Sequence, residues 1–187
     1  MKRASFLTGA AGAIWACGAS AVFADGAKPG PYCVPLPKGV ADLVYDFELY
    51  LLDGNGKTFR LGDALGSPVW LNFYATWCPP CNEEAGVVLD LADKYIPQGL
   101  RVVGVDVGED AAKARDFRDH FKINYPIVLD DKSSVFKGLG LSSYPTHMFL
   151  HRNGKISCVV IGEFDDRAME NEIDVVMQQA PSGRSLP

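Results

Sequence analysis

The chain has 187 residues, 48% of them hydrophobic and 22% charged, with a formal net charge of −5. That is enough apolar material for one domain with a sizeable core and hardly enough for two, and it excludes an intrinsically disordered chain. A net-acidic chain without a basic run also lacks the electrostatic footprint of a nucleic-acid or anionic-membrane binder.

Lys2 and Arg3 precede an uncharged, Ala- and Gly-rich stretch that ends in Ala21-Val22-Phe23-Ala24. Charged lead, apolar run and small residues at the end are the layout of an export signal, so residues 1–24 are read as a signal peptide and the mature chain as periplasmic. The alternative is an uncut membrane anchor: about 20 residues just span a bilayer, although Ala and Gly make a weak span. The export route stays open. Lys2-Arg3 is not an Arg-Arg pair, and Trp15 fits poorly ahead of Cys17 as a lipoprotein cleavage box.

Residues 25–45 form a Pro- and Gly-rich arm, with Pro29, Pro31, Pro35 and Pro37. Residues 46–180 carry the domain and 181–187 a tail. Phe47–Leu52 and Lys57–Arg60, joined by Asp53-Gly54-Asn55-Gly56, predict a β-hairpin. Val69–Tyr74 is an almost continuous apolar run, as in a strand buried on both faces. A helix is predicted over Pro79–Tyr95, with Val87, Val88 and Leu91 at helical spacing. Then follow a second buried strand at Leu100–Val107, a helix at Ala111–Phe121, a short strand at Pro126–Leu129 and a helical turn at Ser133–Lys137. Thr146–Leu150 and Ile156–Ile161 flank Asn153-Gly154, a strong hairpin signal, and Asp165–Gln179 closes the domain as a helix. The order predicts an α/β sheet with mixed strand directions.

Trp77-Cys78-Pro79-Pro80-Cys81 follows a buried strand and opens a helix. Cysteines at i and i+3 share a helix face at a separation that suits a disulfide. The first sits at a helix N-terminus, where the macrodipole favours the thiolate that attacks disulfides. Half a metal site or an inert bridge is the alternative. A structural zinc site needs about four ligands, and neither a second CxxC nor a nearby His pair exists, so no metal is predicted.

At this motif the chain resembles the thioredoxin superfamily, and more closely the TlpA/ResA/CcmG-like extracytoplasmic thiol–disulfide oxidoreductases. The resemblance spans Phe47 to Gln179. It rests on Asn72-Phe73-Tyr74-Ala75-Thr76-Trp77-Cys78-Pro79-Pro80-Cys81, on Val103 to Glu109, and on Tyr144-Pro145-Thr146 followed by Asn153-Gly154-Lys155. It implies a thioredoxin-like fold: a central mixed β-sheet flanked by helices, with an N-terminal β-hairpin and a TlpA-type central insertion over Glu109 to Gly140. It further implies Cys78 as attacking thiol, Cys81 as resolving thiol and Pro145 as a cis-proline packed on their disulfide. Read without the resemblance, Pro145 is as readily an ordinary trans-proline ending a loop. A cis bond before a strand would present the Tyr144 backbone to a substrate chain, and Trp77, Pro79 and Tyr144 would form the docking surface. No cofactor is implied. The implied partners are exported protein disulfides, such as those of cytochrome c maturation or metal-centre assembly. A membrane thiol reductase of the DsbD/CcdA type is implied as electron donor, and the protein is expected to be a monomer.

Two features point to a reductant. Pro79 and Pro80 remove two N–H groups from the first helical turn, which leaves the Cys78 thiolate less stabilised and the couple more reducing. Glu84 lies three residues after Cys81 on the same helix face, where a carboxylate raises thiol pKa values and can exchange the Cys81 proton. The resemblance assigns a functional acid to this position in ResA-like proteins. The buried Asp of cytoplasmic thioredoxins, six residues before the first Cys, is Asn72 here. The alternative for Glu84 is an exposed helix residue like Glu83. Gly86 stands where these proteins commonly have a helix-kinking proline, which leaves the helix course beyond Glu84 open.

Cys33 in the arm and Cys158 in a late strand complete an even count after cleavage, and a structural disulfide between them is expected in an oxidising compartment; one surface and one buried free thiol is the alternative. His120 and His151 are read as surface residues. His147 is read as a strand-surface residue, with an approach to the active face as the alternative. Asp130-Asp131 reads as a turn and Asp165-Asp166 as a helix cap. A peroxiredoxin is excluded because Leu71 and Ala75 replace the Pro and Thr of its Pro-x-x-x-Thr-x-x-Cys pattern. The alternatives are a Cu(I)-binding chaperone using Cys78 and Cys81 as ligands, against which the absence of a Met/His cluster near the motif argues, and an oxidase or isomerase of DsbA or DsbC type, although those usually carry a His where Pro79-Pro80 stands.

Overall fold

The computed structural model describes residues 32–34 and 47–178. The expected signal peptide, most of the Pro-rich arm and the tail at 181–187 lie outside the described residues. Among the described residues, seven strands form one sheet: β1 (Glu48–Leu51), β2 (Thr58–Arg60), β3 (Val69–Tyr74), β4 (Arg101–Val107), β5 (Ile127–Asp130), β6 (Thr146–Leu150) and β7 (Ile156–Ile161). Four helices accompany them: α1 (Pro79–Tyr95), α2 (Ala111–Phe121), α3 (Ser134–Gly138) and α4 (Asp166–Gln178). Single 3-10 turns at Leu61–Ala64 and Ile96–Gln98 are additions that apolar periodicity does not reveal.

The sheet order is β2-β1-β5-β4-β3-β6-β7. β3 pairs in parallel with β4, and β4 with β5, through the crossovers that carry α1 and α2. β6 runs antiparallel to β3 and to β7, and the β1–β2 hairpin joins the far side through an antiparallel β1–β5 pair. This is the thioredoxin-like α/β arrangement with mixed strand directions. The central position of β3 explains its unbroken apolar run, because both faces are covered. Trp70 and Tyr74 point to the side packed by α1, α2 and α4, with Val88, Phe117 and Ile173. Val69, Leu71 and Phe73 point to the other side, with Phe136, Leu139 and Met148.

Local chemistry sets the element ends. Asp110 caps α2 by accepting from the Ala112 and Lys113 amides. Asp130 receives the Ser134, Val135 and Phe136 amides, so it ends β5 and seats α3 rather than merely making a turn. Gly104 lets β4 pass under two rings: a Cβ there would meet Tyr74 at 3.2 Å and Tyr125 at 3.3 Å. α1 runs unbroken through Gly86, which is exposed, so the absence of a proline there leaves the helix continuous. No helix among the described residues is long and apolar enough to cross a membrane.

Candidate active site

The C-terminal end of β3 and the start of α1 hold Cys78 and Cys81. Cys78 is the N-cap of α1, with extended backbone, and Pro79 and Pro80 fill the first two helical positions. A proline there costs the helix nothing, since those amides have no intrahelical acceptor, but it removes two donors from beside the Cys78 sulfur. Cys78 and Cys81 are buried and joined as a disulfide, with Cα atoms 5.3 Å apart. The loop leading to Cys78 is clamped from two sides. The Asn82 amide donates to the carbonyls of Thr76 and Cys78, at 3.0 and 2.7 Å. Glu109, from the segment after β4, accepts from the Thr76 amide at 2.5 Å and from its hydroxyl at 2.9 Å. The Glu109 clamp is not readable from spacing, because Glu109 lies 33 residues from Thr76.

Glu84 lies one turn beyond Cys81 on the buried face of α1 and is only 5% exposed, unlike its exposed neighbour Glu83. Its partner is His147. The structure corrects the surface reading of His147, whose exposure is 0%. β6 lies between β3 and β7, and α1 packs over the face that carries His147. His147 Nε2 is 3.1 Å from Glu84 Oε1 and 3.3 Å from Oε2. Its Nδ1 accepts from the Trp70 indole N–H at 3.1 Å. His151 is likewise buried rather than exposed, because the Gly154 amide bonds back to its carbonyl and folds the β6–β7 turn over it. His120 is exposed on α2.

Next to the C-terminal end of β3, where Thr146 pairs with Phe73, the Tyr144–Pro145 bond is cis and Pro145 is buried ahead of β6. The Pro145 carbonyl accepts from the Gly162 amide, and the Thr146 hydroxyl donates to the Ser143 carbonyl, which holds the loop. Trp77 is 66% exposed and meets Tyr144 edge-on at 5.7 Å; Pro79 is exposed beside them. Tyr144 in turn stacks on Phe136 of α3 at 4.7 Å. The segment between β4 and β6 therefore supports the exposed aromatic face through Phe136 and the Thr76 loop through Glu109.

A second acid sits beneath this end of the sheet. Asp106, the residue paired with Tyr74 across β3–β4, is fully buried, and neither of its oxygens has a hydrogen-bond partner. Burial, then the carboxylates of Glu109 and Asp110, push its carboxyl up to about 7, against the pull of Lys113. The adjacent Tyr74 hydroxyl is also buried and unpaired, and burial with Asp106 nearby raises it further. Away from this site, Cys33 and Cys158 are disulfide-bonded with Cα atoms 5.1 Å apart. Beside them the Val34 amide bonds the Val159 carbonyl, and the Glu172 carboxylate lies within 4.8 Å of both sulfurs, its pKa raised by burial. These two sulfurs are bonded to each other, so the cluster offers no thiolate to a metal.

Residues 40–159 match the model of the AhpC/TSA family. The chain is 32% identical over 133 residues to the thiol–disulfide oxidoreductase ResA of Bacillus subtilis, covering 71% of this chain and 74% of that protein. It is 30% identical over 129 residues to ResA of Geobacillus thermodenitrificans, covering 69% of this chain and 74% of that one. Among solved structures, it superposes on a thiol:disulfide interchange protein of DsbE type from Chlorobium tepidum with a TM-score of 0.65 and 28% identity, over 70% of this chain and 92% of that one.

Proposed function

We propose, from the premise that the chain belongs to the AhpC/TSA family and is a thiol–disulfide oxidoreductase, that it works outside the cytoplasm as a dithiol reductant of selected protein disulfides. The observation that carries the direction is the pair Pro79 and Pro80 at the first two positions of α1. A buried Cys78 facing a helix end without those two N–H groups has a weakly stabilised thiolate, and a destabilised dithiol form is the stronger reductant.

In the reduced protein, Cys78 Sγ attacks one sulfur of the substrate disulfide. A Cys78–substrate bond forms, and the other substrate sulfur leaves as a thiolate. Cys81 then loses its proton to Glu84 and attacks Cys78 Sγ, which forms the Cys78–Cys81 bond and releases the second substrate sulfur. The two protein thiols are oxidised and the substrate disulfide is reduced. Trp77, Pro79 and Tyr144 form the docking face, and the backbone before Pro145 accepts the substrate chain as an added edge. Cys33–Cys158 is a structural bridge that ties the arm to β7.

Export is supported by the signal layout of residues 1–24 and by the Cys33–Cys158 disulfide, since structural disulfides persist in oxidising compartments. In the periplasm such a reductant is recharged by a membrane dithiol carrier of DsbD/CcdA type. Its substrates are exported proteins that need free thiols, as in cytochrome c maturation or metal-centre assembly. The test is the equilibrium potential of the Cys78–Cys81 couple, followed by Trp fluorescence in dithiothreitol or glutathione buffers. A value well below about −200 mV is expected, and a value near about −120 mV would make the protein a disulfide donor.

A further inference from the structure

His147 has no part in the exchange chemistry above, yet it is one of the most enclosed polar side chains of the protein and is paired on both sides. Trp70 and His147 lie on one face of the antiparallel β3–β6 pair, where Trp70 opposes Phe149 and Asn72 opposes His147. α1 lays Glu84 across that face. An indole N–H can only donate, so the His147 Nδ1 that receives it carries no proton. The neutral ring then has its single proton on Nε2, directed at Glu84. Nε2 lies 3.1 Å from Glu84 Oε1 and 3.3 Å from Oε2; it is aligned as a hydrogen bond on Oε2, and Oε1 is buried with no hydrogen bond of its own.

We propose that His147 is the positioning residue of the proton acceptor: held by Trp70, it presents Nε2–H to the Glu84 carboxylate and keeps it in place, with the carboxylate's remaining lone pairs left for the Cys81 proton. This rests on the reading of Glu84 as that acceptor. A buried carboxylate with no donor is costly to ionise and keeps its proton. A donor fixed by a second hydrogen bond offsets that cost without reorienting when the proton arrives. In the resolving step the Cys81 S–H bond breaks, its proton passes to the Glu84 carboxylate, the Cys81–Cys78 bond forms and the substrate thiolate leaves. The titratable side chains that face Glu84 are His147 from β6, Tyr125 ahead of β5 and Cys81 one turn earlier on α1.

The test uses the reduced full chain and the aromatic disulfide dithiobis(nitrobenzoate), whose two nitrothiophenolates are released in succession. The first phase reports attack by Cys78 and the second reports resolution by Cys81. For His147→Phe the second phase is expected to slow by about tenfold or more at neutral pH and its pH midpoint to move upward, with the first phase changed less than about twofold. His147→Gln keeps one amide donor for Glu84 and one acceptor for Trp70, and is expected to recover most of the rate. Glu84→Gln is expected to slow the second phase and flatten its pH dependence, and adding His147→Phe to it should change nothing further. If His147→Phe, folded by circular dichroism, keeps the wild-type second phase while Glu84→Gln slows it, the role of His147 is refuted and that of Glu84 stands. If Glu84→Gln leaves the second phase intact, the acceptor reading itself falls. An equal slowing by His147→Phe in both backgrounds would show a packing effect and overturn the proposal.

Discussion

Asp106→Asn is expected to stabilise the protein most above neutral pH, and progressively less as the pH falls toward 4. Asp106 is fully buried at the end of β4, both its oxygens lack partners, and its carboxyl is pushed up to about 7 by burial and by Glu109 and Asp110. In the unfolded chain the same group releases its proton near 3.8. Between those two pH values the fold holds a proton that the unfolded chain has lost, so this group's contribution to stability falls as pH rises. At about 1.4 kcal/mol per pH unit, the accumulated loss reaches about 4 kcal/mol above pH 7. Asparagine never ionises and escapes that loss. Its unpaired amide costs about 1–3 kcal/mol, but a buried protonated carboxyl without partners pays a similar penalty, and neither depends on pH. Urea unfolding of both proteins at about pH 5 and pH 8 isolates the effect, because other titrating groups cancel in the difference. The stability of the variant relative to wild type should rise by about 3 kcal/mol between the two. A difference that stays flat over that interval would refute the claim that Asp106 ionises at the expense of the fold.

Three further outcomes are expected. Trp77→Ala removes a side chain that is 66% exposed, so stability should change by less than about 0.5 kcal/mol. Stopped-flow exchange with a protein disulfide should nonetheless slow about tenfold, while exchange with dithiothreitol is nearly unchanged; equal effects on both would place Trp77 outside the docking face. Glu109→Ala leaves the Thr76 amide and hydroxyl without their acceptor and should cost about 1–3 kcal/mol in thermal unfolding. Replacing Cys33 and Cys158 together by Ala opens a loop with a sequence separation of 125, and the chain-entropy cost is about 5 kcal/mol. A loss below about 1 kcal/mol by denaturant titration would show that the arm is held by its other contacts.

The alternation and runs of apolar residues were sufficient for the strands and α-helices, though not for the two 3-10 turns. Val69–Tyr74, Pro79–Tyr95, Ala111–Phe121 and the β6–β7 hairpin have the boundaries that periodicity and turn chemistry predict, because those signals are local. The cysteine motif was legible for the same reason: strand, CxxC and helix lie within a dozen residues, and each step follows from near-neighbour chemistry. What the sequence could not determine is which polar side chains the fold removes from water. His147 looks like any histidine early in a strand, and only the position of β6 between β3 and β7, under α1, buries it against Glu84 and Trp70. Asp106 falls within a strand predicted as buried and Glu109 just after it, but no local pattern says what either carboxylate faces. The parallel β3–β4 register brings Asp106 beside Tyr74, and Glu109 reaches Thr76 across 33 residues. Burial and long-range hydrogen bonding are properties of strand order, which no local pattern encodes. The chemistry of the cysteine pair was therefore written in its own few residues, whereas the proton-handling groups around it exist only because the sheet assembles in this order.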